Sequence, residues 1–403
     1  MNETKKTYLT VALTALMLIL IFAVIHFIRL NTDTSRDTIK VGFVYEGDES
    51  TPYTANFIKA QRALEKQLGD KAEIIVMSNT HETAGGGKAL EDLIDAGCDI
   101  IFTTSFGYGE AAKRCAGEHP EVQFCQATCY NSGDDPVYSN YHTFMGEIYQ
   151  GRYISGVIAG MKLREMIDSG KLFPEQAKIG YVAAYPYPEV ISGYTAFFLG
   201  VRSVVPETVM EVKYTDTWSS YSVEKKCADE LIERGCVIIS QHSDTTGPAV
   251  ACEEVFGKKE VYHIGYNQSM IDVAPTTSLI SSRINWAPYI LGACQAVLEN
   301  RRIEDRVRGN VHGNDIGAGF EMGWVEMLEL NSIAAADGSN ETIRRLINEF
   351  NSGKVDVFRG DYIGVDPFDD TNTYDLKNGY AENEKTSAPM FGYVLKDVIT
   401  VVG

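Results

Sequence analysis

The sequence predicts an α/β protein of two tandem lobes, each a doubly wound parallel sheet, with a cleft between them and one apolar helix ahead of the first strand. Three observations lead there. Short β-branched runs alternate with helical patterns from Ile39 onward, the alternation restarts after a long helical stretch at 148–167, and residues 9–28 are apolar almost throughout. Strands separated by crossover helices pair in parallel, with right-handed connections.

The first series places strands at 39–44, 74–77, 100–103 and 122–125, with helices near 55–68, 87–96 and 108–117. The second places strands at 178–183, 209–214, 237–240 and 261–264, with helices near 189–201, 223–233 and 247–256. A strand at 278–284 and a helix at 287–299 are expected to return to the first lobe, and the tail from 313 to complete the second. The expected boundaries are therefore 39–145 and 276–312 for lobe 1, and 146–275 and 313–403 for lobe 2. Ahead of them lie 1–30, a signal sequence or membrane anchor, and 31–38, a short polar linker.

The run from Leu9 to Ile28 is broken only by Thr10, Thr14 and His26. As a helix it matches a bilayer core of about 30 Å. Lys5 and Lys6 precede it, while Asp33 and Asp37 offset Arg29 and Arg36, which orients the N-terminus inward and the bulk of the chain outside. No A-x-A-like site follows, so the segment reads as an uncleaved anchor.

Composition narrows the function. With 403 residues, 44% apolar and 23% charged, the chain is globular. Lys+Arg total 36 against Asp+Glu 55, a net charge of −19, which argues against nucleic-acid binding. The sequence has no G-x-S-x-G, P-loop or H-E-x-x-H motif, and its histidines form no ligand pair at i, i+4 spacing. No catalytic residue, metal site or cofactor is expected. Gly107-x-Gly109-x-x-Ala112 matches a loose dinucleotide fingerprint, but follows the third strand, and Gln126 stands where an acidic ribose ligand belongs. It reads as a tight turn and helix start. Of the eight cysteines, Cys98, Cys125 and Cys236 lie in or beside apolar strand-like runs, and the cysteines read as structural thiols ahead of metal or redox groups.

Ligands of open parallel sheets bind where loops leave the carboxyl ends of the strands. Those loops here carry aromatic rings mixed with polar groups. Glu46, Asp48 and Tyr53 follow the first strand, and Ser105, Phe106 and Tyr108 the third. The second series contributes Tyr185, Tyr187, Trp218, His242, Asp244, Tyr266 and Asn267, and the returning segment Asn285 and Trp286. Aromatic faces can sandwich a flat ring while amides, carboxylates and histidine read its edge. A purine fits that pattern.

The runs VGFVYEGD, DIIFTTSFGYG, IGYVAAYPYPEVISGYTAFFLGVRSV, CVIISQHSDTTGPAVACEE, YHIGYNQSM and LISSRINWAPYI resemble the basic-membrane-protein family of ABC-transporter substrate-binding proteins, its Med-like branch most of all, over 39–298. The resemblance implies a type I periplasmic-binding fold that delivers a purine nucleoside or nucleobase to an ABC permease and its ATPase. It places the ligand-binding aromatics on Tyr53, where a tryptophan is usual, Phe106 and Trp218. It places the polar contacts on Asp48, His242, Asp244 and Asn267, with Asn285 and Trp286 closing the pocket.

Two departures matter. Family members carry a lipoprotein cysteine after the signal, whereas the first cysteine here is Cys98. Nucleoside-binding relatives hold the ribose with a lysine near the returning strand, where this chain reads Ser282-Arg283-Ile284-Asn285, which favours a free base. The expected function is a non-enzymatic, extracytoplasmic purine receptor of an ABC importer, held to the membrane by its N-terminal helix. The alternatives are a membrane-anchored sensor of the same fold and a nucleoside-processing enzyme.

Overall fold

The computed structural model describes residues 14–21, 35–82 and 85–403. Residues 14–21 are helical and exposed. The rest of the expected anchor lies outside the described residues, among which no helix is long and apolar enough to cross a membrane.

Two seven-stranded sheets organise the chain. The first has the order β11-β12-β5-β4-β3-β1-β2, with β1 at Ile39–Val44, β2 at Ala72–Met77, β3 at Ile100–Thr103, β4 at Gln123–Ala127, β5 at Tyr141–Gly146, β11 at Asn310–His312 and β12 at Asp315–Ala318. The second has the order β13-β10-β9-β8-β6-β7-β17, with β6 at Lys178–Ala183, β7 at Val209–Tyr214, β8 at Ile238–His242, β9 at Tyr262–Tyr266, β10 at Ser278–Ile284, β13 at Val325–Met327 and β17 at Ile399–Val401. Every pairing is parallel except the edge pairs β11–β12 and β10–β13. Helices cover both faces, so the central strands are apolar without alternation: every residue of β3, Ile-Ile-Phe-Thr, is buried. A small antiparallel sheet, β15 (Asp369–Asp375), β14 (Ile363–Asp366) and β16 (Val394–Leu395), flanks the second lobe.

The chain passes between the large sheets after β5, after β10 and after β12. This corrects two expectations. Ser278–Ile284 does not rejoin the first lobe. It extends the second sheet in parallel with β9, with Ser281 beside Gly265 and Ser282 beside Tyr266. Only the following helix, Ala287–Leu298, returns, and it buries Tyr289, Ile290, Ala293 and Cys294 in the first core. Nor does the tail belong wholly to the second lobe, because β12 (Asp-Ile-Gly-Ala, all buried) pairs with the free edge of β5. In both cases an open parallel edge is satisfied by the strand that reaches it.

All eight cysteines are buried with free thiols. Burial pushes the Cys98 thiol up to about 11 and Cys129 up to about 12, so neither is a ready nucleophile.

The second core depends on a close helix crossing. Tyr149–Asp168 packs on Pro188–Arg202, and a Cβ on Gly156 would run into the Phe197 carbonyl while one on Gly200 would run into that of Tyr153. Gly156→Val is expected to destabilise the protein by about 3 kcal/mol or more in urea unfolding. Gly133→Ala, where nothing lies within 4 Å of the added carbon, should change stability by less than about 0.5 kcal/mol.

Candidate functional site

The carboxyl ends of both sheets open on one cavity of about 110 Å³, several times the roughly 10–15 Å³ that admits a water. Lobe 1 contributes Glu46 after β1, Tyr53 on the helix Pro52–Leu68, Ser105 and Phe106 after β3, and Thr128 and Tyr130 after β4. Lobe 2 contributes Tyr187, Pro188 and Glu189 after β6, Trp218 after β7, His242 and Asp244 at the end of β8, and Tyr266 at the end of β9.

The rings form a continuous belt. Phe106 of lobe 1 lies 5.6 Å from Tyr187 of lobe 2 at an interplanar angle of 32°. Tyr187 lies 5.3 Å from Tyr185, which meets the Trp218 edge at 5.2 Å. Phe106 is 43% and Tyr187 41% exposed, so both present ring surface to a ligand. The turn carrying Phe106 is held by Glu82, which accepts from the Ser105 hydroxyl and from the Gly107 N–H at 2.9 Å. A Cβ on Gly107 would strike Glu82, and one on Gly109 would meet Cys129 Sγ at 2.8 Å, so close packing accounts for both glycines. Tyr53 is oriented by donating its hydroxyl to the Thr104 carbonyl at 2.5 Å.

The polar groups form a second layer. Asp244 is half-buried, and its carboxyl accepts from Asn267 Nδ2 at 2.8 Å. Burial, with Glu224, Glu189 and Glu46 nearby, pushes its carboxyl up to about 8 against the opposing Asn267 bond. At neutral pH it therefore carries a proton and can both donate and accept. Asn267 has φ of 64°, a left-handed conformation that asparagine tolerates better than most residues. Its carbonyl accepts from Asn56 Nδ2 of lobe 1 at 2.9 Å. This links the lobes directly behind Asp244.

His242 lies 3.0 Å from Glu189 through Nε2. Burial lowers its pKa, outweighing the Glu189 charge, so the ring is neutral and donates from Nε2. Beneath it the buried Arg152 guanidinium sits 3.7 Å from the Tyr266 ring centroid and donates to the Gln241 carbonyl at 2.8 Å. This cation–π contact supports the cavity floor.

Of the residues to which the resemblance gave ligand contacts, Tyr53, Phe106, Trp218, His242 and Asp244 meet at the cavity, joined by the strand-end candidates Glu46, Ser105, Tyr187 and Tyr266. Asn267 stands behind them and orients Asp244. Asp48 and Trp286 are corrections, since neither lines the cavity. Asp48 accepts from the Ser50 N–H at 2.9 Å and from Asn79 Nδ2 at 3.3 Å, a turn that leads into the helix Pro52–Leu68. Trp286 is 1% exposed and stacks on Phe57 at 4.3 Å and 15° inside the first core. Asn285, just ahead of the adjoining helix, accepts from the Ala287 N–H at 3.3 Å. Sequence reasoning gave no ligand role to Glu189, Thr128, Tyr130, Met145, Ala388 or Pro389. Glu189, just past Pro188, carries a signal that a first-turn helix acid also gives.

Two sheets opposed across a ligand-sized cavity, joined by three crossings, define a solute-binding clamp. Residues 38–355 match the model of the Bmp family, described as ABC transporter substrate-binding protein, PnrA-like, and the chain belongs to that family. It is 30% identical to a purine-binding protein of Brucella abortus over 331 residues, 81% of this chain and 85% of that one. It is 22% identical to the transcriptional activator protein Med of Bacillus subtilis over 65% of this chain and 73% of that one. A solute-binding protein of Aeropyrum pernix K1 superposes with a TM-score of 0.63 at 14% identity, covering 78% of this chain and 92% of that one, which shows the shared fold. The chain is a substrate-binding protein of an ABC transporter and not an enzyme.

The raised Asp244 carboxyl gives a pH prediction with a definite sign. The folded protein holds this proton up to about pH 8, whereas an unfolded aspartate loses it near pH 4, so stability falls as pH rises through that window. Between pH 5 and pH 8 the ligand-free wild type should lose at least about 1 kcal/mol more stability than Asp244→Asn, measured by urea unfolding.

Proposed function

We propose that the protein binds a purine, a free base in preference to a nucleoside, between the aromatic belt and Asp244, and delivers it to an ABC permease and its ATPase. The observation that carries this reading is the meeting of Phe106 and Tyr187 across the lobe boundary above a protonated, part-buried carboxyl. Ring faces supply stacking without demanding one sequence of atoms, while Asp244, Glu189 and Glu46 match the donors and acceptors of the purine edge. The likeness to the Brucella purine-binding protein supports the same ligand class.

The present ring separation also supports coupling between binding and lobe movement. A base sandwiched between Phe106 and Tyr187 needs two stacking gaps of about 3.5 Å, roughly 7 Å in all, against the 5.6 Å observed. Binding therefore parts these rings while the lobes pivot, a hinge motion familiar in two-lobed clamps. The apolar run at 9–28 supports tethering of the clamp to the outer face of the membrane, with the N-terminus inside.

Thermal-shift and calorimetric titration against purine bases, nucleosides, sugars and riboflavin tests this reading. A purine at about 100 times its Kd should stabilise the fold by about 2.7 kcal/mol. Phe106→Ala and Trp218→Ala should each weaken that binding by roughly 5- to 150-fold, corresponding to about 1–3 kcal/mol of stacking, with the fold intact. Full retention of affinity in both variants contradicts the stacking site.

A further inference from the structure

One wall of the cavity comes from a segment that the family match does not reach. The match ends at residue 355, yet Ala388 and Pro389 line the cavity beside residues of both lobes. They belong to a loop that starts and ends on the second lobe and crosses to the first between its ends.

The base of the loop is tied by Glu382, whose carboxylate accepts from the Met390 N–H at 2.6 Å and the Phe391 N–H at 3.0 Å. Phe391 stacks on Phe358 at 4.6 Å inside the second core. The tip is seated on the first lobe. Ser387 donates its N–H to Asp315 Oδ2 at 2.6 Å and its hydroxyl to the Cys129 carbonyl at 3.2 Å, while His312 Nε2 donates to the Asn383 carbonyl at 2.9 Å. Thr143 holds the other oxygen of Asp315 at 2.6 Å. Gly317 makes room, because a Cβ there would lie 2.9 Å from the Ser387 carbonyl. Ser387 and Ala388 are buried, and the bond to Cys129 sets the loop against the turn that carries the cavity residues Thr128 and Tyr130.

A wall anchored on both sides cannot swing aside as an open surface loop does. Its two lining residues are also stiff: alanine has no rotamers to yield, and proline fixes its own φ while holding the preceding residue extended. We propose that Ala388 and Pro389 are specificity-determining residues, a rigid end wall that sets how large a ligand the clamp accepts. This rests on the purine reading for the identity of the ligand, but not for the action of the wall.

The test uses the full chain and the variants Ala388→Leu and Pro389→Gly, titrated calorimetrically with adenine, guanine, hypoxanthine and their ribonucleosides. Ala388→Leu should move the base-to-nucleoside affinity ratio at least tenfold toward the bases, and Pro389→Gly should move it toward the nucleosides. A ratio unchanged within threefold in both variants overturns the proposal, whatever happens to absolute affinity. If wild type binds a sugar or riboflavin and no purine, the purine reading fails. The wall is then judged on that ligand, where a tenfold loss in Ala388→Leu supports it and an unchanged affinity overturns it. Should either variant misfold, hydrogen exchange on wild type decides: a bound ligand must slow exchange at 387–391 along with 105–108, and protection of 105–108 alone overturns the proposal.

Discussion

Asn267 hydrogen-bonds in two directions at the junction of the lobes. Its amide donates to the Asp244 carboxyl and its backbone carbonyl accepts from Asn56 of the opposite lobe. The first bond fixes where the principal polar group of the cavity points, and the second fixes how closely the lobes approach behind it. Buried amides and carboxyls left without partners cost roughly 1–3 kcal/mol each, so this short chain is favoured only while both lobes are in place. The electrostatics of the site follow from that closeness. Surrounding protein withholds water from Asp244 and keeps it protonated, and the same burial keeps His242 neutral beside Glu189. A protonated Asp244 beside a neutral His242 offers both donors and acceptors to the edge of a solute.

The architecture brings these groups together for a topological reason. Right-handed parallel units deliver every strand-end loop of a sheet to the same edge. Two such sheets joined at their carboxyl edges concentrate the loops of both lobes into one space. Close helix packing through Gly156 and Gly200 keeps the second lobe rigid enough for this convergence. The first lobe uses aromatic packing instead, with Trp286 stacked on Phe57 and Tyr289 on Phe144 at 3.8 Å. The net charge of −19 is consistent with a partner other than nucleic acid.

Much of this was legible in the sequence, and the failures have physical causes. The order of β1 to β4 and of β6 to β10 could be read because parallel strands are largely apolar and their crossover helices are not. By contrast β5, Tyr-His-Thr-Phe-Met-Gly, mixes polar residues into a buried run and was not expected. The cavity rings Phe106 and Trp218 could be read because each follows a strand end beside residues that favour turns. The same rule misplaced Trp286, since a tryptophan after a strand and before Ala-Pro looks alike whether its ring enters the core or the cleft. Asp48 gave the signal of a ligand and of an Asx turn equally, and the turn took it. The lobe of Ser278–Ile284 was hidden because a parallel strand does not encode its neighbour. Ala388 and Pro389 left no trace, as no residue pattern announces that a loop far along the chain returns to a cavity.

In the proposed binding mode a flat heterocycle enters between the lobes, stacked on the belt and edge-bonded to Asp244. The most direct measurement is a crystal structure of the protein with adenine, guanine or hypoxanthine, whichever binds most tightly. The base is expected with its face about 3.5–4 Å from the Phe106 ring, its edge within about 3.2 Å of Asp244, and Tyr187 moved away from Phe106. A base bound outside this cavity, with Phe106 and Tyr187 still in contact, would contradict it.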